Sequence, residues 1–487
     1  MPESGRLGTE TYDLIVVGGS VGCLVAAAEA ARAGKRVRLF LPERGVGSGF
    51  AARAFEGRRL DIGTRLFDLN DRSGAAVPAD LTGYRVGNDY RPYMRFIRRF
   101  VEELLDGRVK ALPTTLMSFA GTLVPDFLTT LDLSTLPSLV GKDALAAIFK
   151  ETEAILDADP AHPATLGRNA SPDLSGIPYE AASLANHGET FHRQLIAPYS
   201  TKVYPDGWKS VPADLRHKIW SPLLYAKTIN QACRGTLFRG RDALSFHTVD
   251  GADFGAFIDR LLVRIEGCAN LKASRYGRLL QIARSGDAHL LSFDGPGAPF
   301  LVRGPLALGL SIADLAALDG GDPAIDLLTI GLAWVEVPED DLLTDASYIT
   351  VHQADNPAYR ISFGGSGAPD GWRLVNVELT PRLPRQEYGR GVPLALERAG
   401  LLASSAKARL LDGISELKIA APTLHNRARL YAAKVALAER GVAASYIGTA
   451  GEMARDQLND HILQGLAIAQ ESAALAEPID EGRRALA

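Results

Sequence analysis

Cysteine is scarce in this chain of 487 residues, which contains only Cys23, Cys233 and Cys268. Three widely spaced thiols do not make a disulfide framework, and they are typical of a reducing compartment such as the cytoplasm. The nine histidines form no H-x-x-x-H pair and no Cys/His cluster, which argues against a zinc site. We therefore expect a cytoplasmic protein without a bound metal.

The sequence also lacks an apolar run long enough to cross a bilayer, and residues 1–11 lack the apolar segment of a signal peptide. No dense stripe of lysine and arginine is present and the net charge is −4, so nucleic acid is not expected as a partner. The composition, with 46% hydrophobic and 23% charged residues, is that of a globular protein. Because the chain is too long for one compact core, two or more domains are expected.

The most informative stretch begins with the apolar run Leu14–Val17, which ends at Gly18 and Gly19. An alanine-rich segment starts at Gly22, and a second apolar run covers Val37–Leu41. This pattern predicts a strand, a glycine turn, a helix and a second strand, which together make a βαβ unit. Such a turn presents backbone N–H groups at a helix N-terminus, where the diphosphate of a dinucleotide binds.

The glycine fingerprint of this turn is incomplete. Aligned on Gly18, the pattern G-x-G-x-x-G has Ser20 in place of its second glycine and Cys23 in place of its third. The acid that would bind the ribose hydroxyls is replaced by Leu41, and Glu43 lies two residues further along. Either the unit holds a dinucleotide, with Glu43 reaching the ribose, or it folds without a nucleotide.

A second block, residues 195–204, places Tyr199, Lys202 and Tyr204 after an apolar approach. Aromatic rings beside a cation suit an anionic, polyhydroxylated ligand, because rings stack on sugar faces and lysine binds phosphate. The alternative is that both rings pack a domain junction while the Lys202 stem lies along apolar surface. The spacing alone does not separate these interpretations.

Three further segments have simple patterns. Apolar residues at helical spacing over Pro92–Leu105 and Ala395–Leu411 predict two amphipathic helices. Residues 157–178 are rich in proline, alanine, glycine and serine, which is typical of a surface connection.

Several motifs follow one another as in a known group of flavoenzymes: the βαβ unit, Asp61-Ile62-Gly63, residues 198–204 through Lys218, residues 250–257, and Ala358–Ser362. In this order the chain resembles UDP-galactopyranose mutase and the related protoporphyrinogen-oxidase-like proteins, within the amine-oxidase type of FAD fold. The resemblance extends from about Tyr12 to about Ala474. It implies FAD as the cofactor and a small-molecule substrate.

The resemblance implies an α/β fold with a Rossmann-like FAD-binding domain assembled from three separated pieces. These pieces would be residues 1–70, 240–310 and 441–487, the last including a C-terminal tail. A mainly helical substrate portion would occupy residues 71–239, and a mixed-sheet portion would occupy residues 311–440.

The resemblance also implies two groups of cofactor-binding residues. The group in and after the βαβ unit is Gly18, Gly19, Ser20, Gly22, Glu43 and Gly47. The group near the C-terminus is Gly448, Gly451, Gln457 and Leu458. In the family, a helix N-terminus at this second position faces the flavin, a use of helix-terminal N–H groups that physics favours. Thr449 stands where the family usually has arginine.

The substrate groups of the family transfer only in part. Tyr199 matches a mutase tyrosine close to the sugar and the flavin, and Lys218 falls where the mutases have a diphosphate-binding arginine. A second diphosphate arginine should lie near Gly331–Val337, but that segment contains none. Arg360 matches the Tyr/Arg-Ile pattern of the family, and His352 is a polar candidate close to the flavin.

Three hypotheses follow. The first is a flavoenzyme that acts on a nucleotide-linked sugar or a similar anionic metabolite, with mutase chemistry as one form. The second is a flavin oxidase or desaturase acting on a less charged substrate, which the missing arginine favours. The third is a non-catalytic relative that has lost FAD and serves as a scaffold or assembly partner, which Ser20, Cys23 and Leu41 favour. An oligomer or a protein partner is possible in each case.

Overall fold

The computed structural model describes residues 9–70, 78–84, 90–130, 132–160, 162, 174–236, 246–295, 299–318, 320, 324–411, 415–453 and 457–471. Most of the predicted surface connection over residues 157–178 lies outside these residues. No helix in the described ranges is long and apolar enough to cross a membrane.

The elements are named in chain order. The strands are β1 Glu10–Thr11, β2 Leu14–Val17, β3 Val37–Pro42, β4 Arg53–Phe55, β5 Arg58–Leu60, β6 Phe67–Asp68, β7 Val109–Ala111, β8 Leu116–Phe119, β9 Thr122–Pro125, β10 Phe246–Val249, β11 Leu271–Tyr276, β12 Leu279–Ser285, β13 Ala288–Phe293, β14 Phe300–Arg303, β15 Leu306–Leu308, β16 Leu327–Pro338, β17 Tyr348–Val351, β18 Ala358–Phe363, β19 Trp372–Leu379, β20 Arg409–Leu410, β21 Ser415–Ala420 and β22 Ala444–Tyr446. The helices are α1 Val21–Arg32, α2 Met94–Leu104, α3 Phe127–Thr130, α4 Leu136–Leu139, α5 Lys142–Ala158, α6 Tyr179–His187, α7 Glu189–Phe191, α8 Ala197–Val203, α9 Ala226–Cys233, α10 Gly255–Glu266, α11 Ile312–Leu318, α12 Tyr388–Arg398, α13 Leu424–Glu439 and α14 Leu458–Glu471.

A five-stranded parallel sheet carries the βαβ unit, in the order β11-β3-β2-β15-β22. All four residues of β2 are buried, which explains why its sequence is a continuous apolar run rather than an alternating one. The helix α1 follows β2 and packs against both α10 and α14. The strands of this sheet come from residues 14–42, 271–308 and 444–446, so three separated parts of the chain build it.

A larger mixed sheet has the order β20-β16-β19-β18-β17-β8-β9, and β21 also pairs with β16. Its neighbouring strands are antiparallel except for the parallel pair β17 and β8. The ring of Trp334 on β16 is fully buried, and its Nε1 donates to the carbonyl of Asp61 over 2.7 Å. This bond fixes the loop that follows β5 against the mixed sheet. The fold is therefore α/β, as predicted from the sequence.

The predicted helix over Ala395–Leu411 is wrong in its bounds. The helix α12 begins earlier and ends at Arg398, because Gly400 adopts a positive φ of 75° that terminates the helix. Leu401 and Leu402 are nevertheless buried, since they pack into the core from the turn after the helix. The helix predicted over Pro92–Leu105 corresponds to α2.

Candidate functional site

A cavity of about 630 Å³ lies at the carboxyl ends of the parallel strands. It is lined by the N-terminal ends of α1 and α14, by the loops after β15 and β22, and by strands β16, β18 and β19 of the mixed sheet. Residues from α8 and from the segment 216–223 close another side. In open α/β sheets, ligands bind in the crevice outside the carboxyl ends of the strands.

The two substitutions in the glycine fingerprint accommodate each other. Ser20 is the N-cap of α1, and its Oγ accepts from the Cys23 N–H and donates to the Cys23 Sγ. The Cys23 side chain is fully buried against Gly309, where an added Cβ would lie 2.1 Å from its sulfur. The larger third residue therefore fits because the loop after β15 provides a glycine opposite it. The backbone N–H groups of Val21 and Gly22 have no acceptor among the described residues.

Gly18, Gly19 and Gly22 form the buried backbone turn before and into α1, whereas Ser20 lines the cavity. A Cβ on Gly22 would lie 2.4 Å from Cγ2 of Ile447, so glycine is required there by contact with the loop after β22. This glycine lets α1 approach the loop after β22 and the helix α14, since the same Cβ would also lie 2.9 Å from the His461 carbonyl oxygen.

The region expected to bind the ribose has no carboxylate of the usual kind. Leu41 is buried in the core, while Glu43 is exposed and does not line the cavity. The loop after β3 lies on the glycine turn, because Gly47 donates its N–H to the Gly19 carbonyl over 2.7 Å. The predicted contact of Glu43 with a ribose therefore has no support in the position of this residue.

The C-terminal group divides in a similar way. Gly448, Gln457 and Leu458 line the cavity at the N-terminal end of α14, and Gly451 does not. The carbonyl of Gly451 instead accepts from the Lys434 Nζ. The Gly448 N–H donates to Oε1 of Gln464 over 2.7 Å, which ties the loop after β22 to α14.

The residues at the start of α1 and at the N-terminal end of α14 can be compared with the parts of a flavin dinucleotide. Two buried N–H groups without acceptors at the start of α1 suit a diphosphate, and the cavity runs from Ser20 to the N-terminal end of α14. The start of α1 thus fits a diphosphate, with Ser20 as the residue of this turn that lines the cavity. The adenosine ribose would be bound without the acid that usually recognises it.

The opposite side of the cavity is built around Glu378, a buried carboxylate on β19. Arg360 on the neighbouring strand β18 binds it through two hydrogen bonds, Nε to Oε1 over 3.0 Å and Nη2 to Oε2 over 2.6 Å. The Thr64 N–H also donates to Oε1 over 2.8 Å. Burial alone would raise the pKa of Glu378, but the charge and hydrogen bonds of Arg360 outweigh it and hold the pKa below its usual value.

A second guanidinium, that of Arg65, also lines the cavity. Its Nε donates to the carbonyl of Gly49 over 2.7 Å, its Nη1 donates to the carbonyl of Thr64 over 3.1 Å, and its charge faces the Phe50 ring. Burial lowers the pKa of Arg65 to about 10, and the charges of Glu378 and Asp61 offset only part of this effect. Arg65 therefore stays cationic at neutral pH.

Aromatic rings surround Arg360. Its guanidinium carbon lies 4.2 Å from the centre of the Trp220 ring, and Trp220 stacks on Tyr359. Tyr199 packs edge-on against Tyr359 and lines the cavity. Burial raises the pKa of the Tyr199 phenol, so this hydroxyl is protonated at neutral pH.

Of the four predicted catalytic residues, Tyr199, Lys218 and Arg360 line the cavity and His352 does not. The His352 Nε2 lies 3.2 Å from the Leu195 carbonyl, and its ring packs on Phe119. Burial lowers the pKa of His352 to about 4, so it is a neutral core histidine.

Lys202, which the sequence placed beside two rings, is a structural residue. Its Nζ donates to the carbonyls of Val351, Gln353 and Ala358. The interpretation as a phosphate-binding lysine therefore does not hold, and neither does that of an ammonium group reaching solvent. Burial lowers the pKa of Lys202 to about 7.

Cationic residues outnumber acidic ones around the cavity. The cationic residues that line it are Arg65, Arg91, Arg216, Lys218 and Arg360, and the acidic ones are Asp68 and Glu378. Arg360 and Glu378 cancel each other, so the excess of positive charge in the lining comes from Arg65, Arg91, Arg216 and Lys218 against Asp68. Such a field favours an anionic ligand.

Apolar side chains of β16 and β21 line another part of the cavity, beside the segment Gly331–Val337 in which the sequence resemblance implied an arginine and none is present. Four residues make this surface, which we call the aliphatic wall: Ile330, Leu332, Leu417 and Ile419. Ile330 and Leu332 alternate along β16, and Ile330 lies opposite Leu417 on β21. Because residues two positions apart on a strand point to the same face of the sheet, Ile330 and Leu332 share one face, and so do Leu417 and Ile419.

The sequence patterns did not single out Arg65 and Glu378 as site residues. One signal for Glu378 was present, since it is an acid within the run Val375–Leu379, which is otherwise apolar apart from Asn376. Acids are almost never fully buried unless they are paired. Arg65 carried no comparable signal, because it follows a glycine loop of ordinary composition.

No family model matches the chain, and no curated protein matches it. Solved structures do match. A reduced UDP-galactopyranose mutase is 14% identical with a TM-score of 0.67, and the alignment covers 97% of this chain and 98% of that one. A putative protoporphyrinogen oxidase from Exiguobacterium sp. 255-15 is 15% identical with a TM-score of 0.59, over 95% and 98% of the two chains. A putrescine oxidase is 12% identical with a TM-score of 0.55, over 96% and 99%. The chain therefore has the fold of these solved structures, as the sequence resemblance predicted.

Proposed function

We propose that this chain is an FAD-dependent enzyme that acts on an anionic metabolite, with a nucleotide-linked sugar as the substrate closest to mutase chemistry. One observation carries the proposal: the N-terminal ends of α1 and α14 line the same cavity as the Glu378–Arg360 pair of the mixed sheet and Arg65. The helix ends suit a diphosphate and a flavin ring, and the cationic residues suit an anionic substrate.

Different residues of the chain would bind different parts of FAD. The N–H groups of Val21 and Gly22 would hold the FAD diphosphate, while Gln457 and Leu458 would border the ring. When bound, FAD supplies redox or nucleophilic chemistry that no side chain provides. The protein would orient the substrate beside the ring and exclude water from it.

On the substrate side, Arg360 is held in one orientation by Glu378 and Trp220, so little entropy is lost when it binds an anion. Lys218 would add a second cation, as a point charge rather than a fork. The protonated Tyr199 hydroxyl would donate a hydrogen bond to the substrate. The cysteine content supports a cytoplasmic location for this chemistry.

The test is a titration of the FAD-loaded, dithionite-reduced chain with UDP and with UDP-galactose, followed by the flavin absorbance. We expect a saturable spectral change that Arg360→Gln and Lys218→Gln each weaken by at least tenfold. The matched control is Arg409→Gln, which removes a cation that stacks on Trp372 and does not line the cavity. An unchanged spectrum at millimolar UDP and UDP-galactose would contradict the nucleotide-sugar assignment.

A flavin oxidase or desaturase is the second candidate, and the aliphatic wall favours it. The resemblance to the mutases implies a second arginine near Gly331–Val337, and this segment contains none. If the second candidate is right, oxygen would reoxidise the flavin during turnover of an organic substrate, and UDP-galactose would have no effect. Oxygen consumption measured beside the UDP titration separates the two.

A further inference from the structure

We infer that the substrate of this cavity is an amphipathic organic anion, with its anionic head at Arg65 and its apolar body against the aliphatic wall. The inference rests on the proposed function and narrows it, because it names the chemical class of the metabolite. It differs from the nucleotide-sugar form, in which the ligand is polar along its whole length.

Arg65 suits the head because its guanidinium has no direct ion pair among the described residues, although the charges of Glu378 and Asp61 act on it, and because its orientation is fixed. The carboxylate of Glu378 is engaged by Arg360 through both oxygens, and Arg65 has no carboxylate partner within ion-pair distance in the described part of the chain. Two carbonyls hold Nε and Nη1, whereas Nη2 has no acceptor among the described residues. A carboxylate or phosphate oxygen would satisfy this donor and the charge together.

The aliphatic wall suits the body because part of its apolar surface remains accessible. Leu417 and Ile419 on β21 are only half-buried, although they pack beside the core residues Ile330 and Leu332. Lys418 alternates to the other face of the strand and is exposed there. An apolar ligand would remove this surface from water, which a diphosphate cannot do.

Charge and apolar surface must therefore both contribute to affinity. The experiment measures the binding of octanoate, octyl phosphate, acetate and 1-octanol to the full-length chain by isothermal titration calorimetry. We expect octanoate or octyl phosphate to bind at least tenfold more tightly than both acetate and 1-octanol. Equal affinity for octanoate and acetate, or for octanoate and 1-octanol, would overturn the inference.

Variants locate the binding. Arg65→Gln should weaken octanoate binding at least tenfold and leave 1-octanol unchanged, while Arg65→Lys should weaken octanoate binding less than Arg65→Gln, because the charge is kept although the two bonds that orient the guanidinium are lost. Ile419→Ser should weaken octanoate and 1-octanol together. Its matched control is Leu327→Ser, which changes an exposed residue on β16 that does not line the cavity. Unaltered octanoate affinity in both Arg65→Gln and Ile419→Ser would contradict the proposed position.

Flavin content, measured by absorbance after acid release, separates this inference from the proposed function. A chain that binds octanoate through Arg65 but never retains FAD refutes the proposed enzyme and leaves the amphipathic ligand in place. A flavin-loaded chain that prefers UDP to octanoate refutes the inference and leaves the enzyme in place.

Discussion

Glu378→Gln is expected to lower the free energy of unfolding by about 3 kcal/mol, the lower end of the range for removing one partner of a buried ion pair. Glu378 is 2% exposed and accepts two hydrogen bonds from Arg360 and one from the Thr64 N–H. Glutamine keeps one acceptor but turns an NH₂ group toward Arg360. The lower end applies because Arg360 borders the cavity, where water can solvate it after the substitution.

The assay is urea unfolding at pH 7 of the wild type, Glu378→Gln and the double variant Glu378→Gln/Arg360→Gln. The double variant should recover part of the loss, because no uncompensated guanidinium remains. Asp259→Asn is the matched control, since it breaks the more exposed pair with Arg59 and should cost about 0–1 kcal/mol. A loss below about 1 kcal/mol for Glu378→Gln would refute the structural importance of the buried pair.

Two further predictions concern packing and titration. Gly22→Ala should lower the free energy of unfolding by about 1–3 kcal/mol, because its Cβ would lie 2.4 Å from Cγ2 of Ile447. Ile447→Ala in the same chain should recover part of this loss, and full stability of Gly22→Ala in urea unfolding would contradict the close approach. Since the pKa of Lys202 is lowered to about 7, the folded chain binds fewer protons than the unfolded chain between about pH 7 and pH 10, and stability rises with pH there. Comparing urea midpoints at pH 7 and pH 9 should show this rise in the wild type and a smaller one in Lys202→Met; equal rises would exclude Lys202 as the source.

The sequence predicted the βαβ unit well because its signals are local. The buried run Leu14–Val17, the glycine turn and the alanine-rich helix each follow from residues within a few positions of one another. Even the anomalous Ser20 and Cys23 were identified by position. The space that accommodates Cys23 could not be predicted, because it is provided by Gly309, which lies almost 300 residues away in the chain.

The substrate side was predicted less completely for the same reason. Tyr199, Lys218 and Arg360 came from the family resemblance and all line the cavity, but their roles remain predictions. Glu378 and Arg65 gain their importance from contacts between β18, β19 and the loop after β5, which no local pattern encodes. The error over Ala395–Leu411 has a related cause, because Leu401 and Leu402 are buried in a turn and imitate helical spacing.

We propose that the N-terminal end of α1 holds the diphosphate of FAD despite the altered fingerprint. The most direct measurement is a fluorescence titration of the purified full-length chain with FAD and, in parallel, with riboflavin, which lacks the diphosphate. We expect saturation at one FAD per chain and much weaker binding of riboflavin. Absence of FAD binding at millimolar concentration, or equal affinity for FAD and riboflavin, would contradict it.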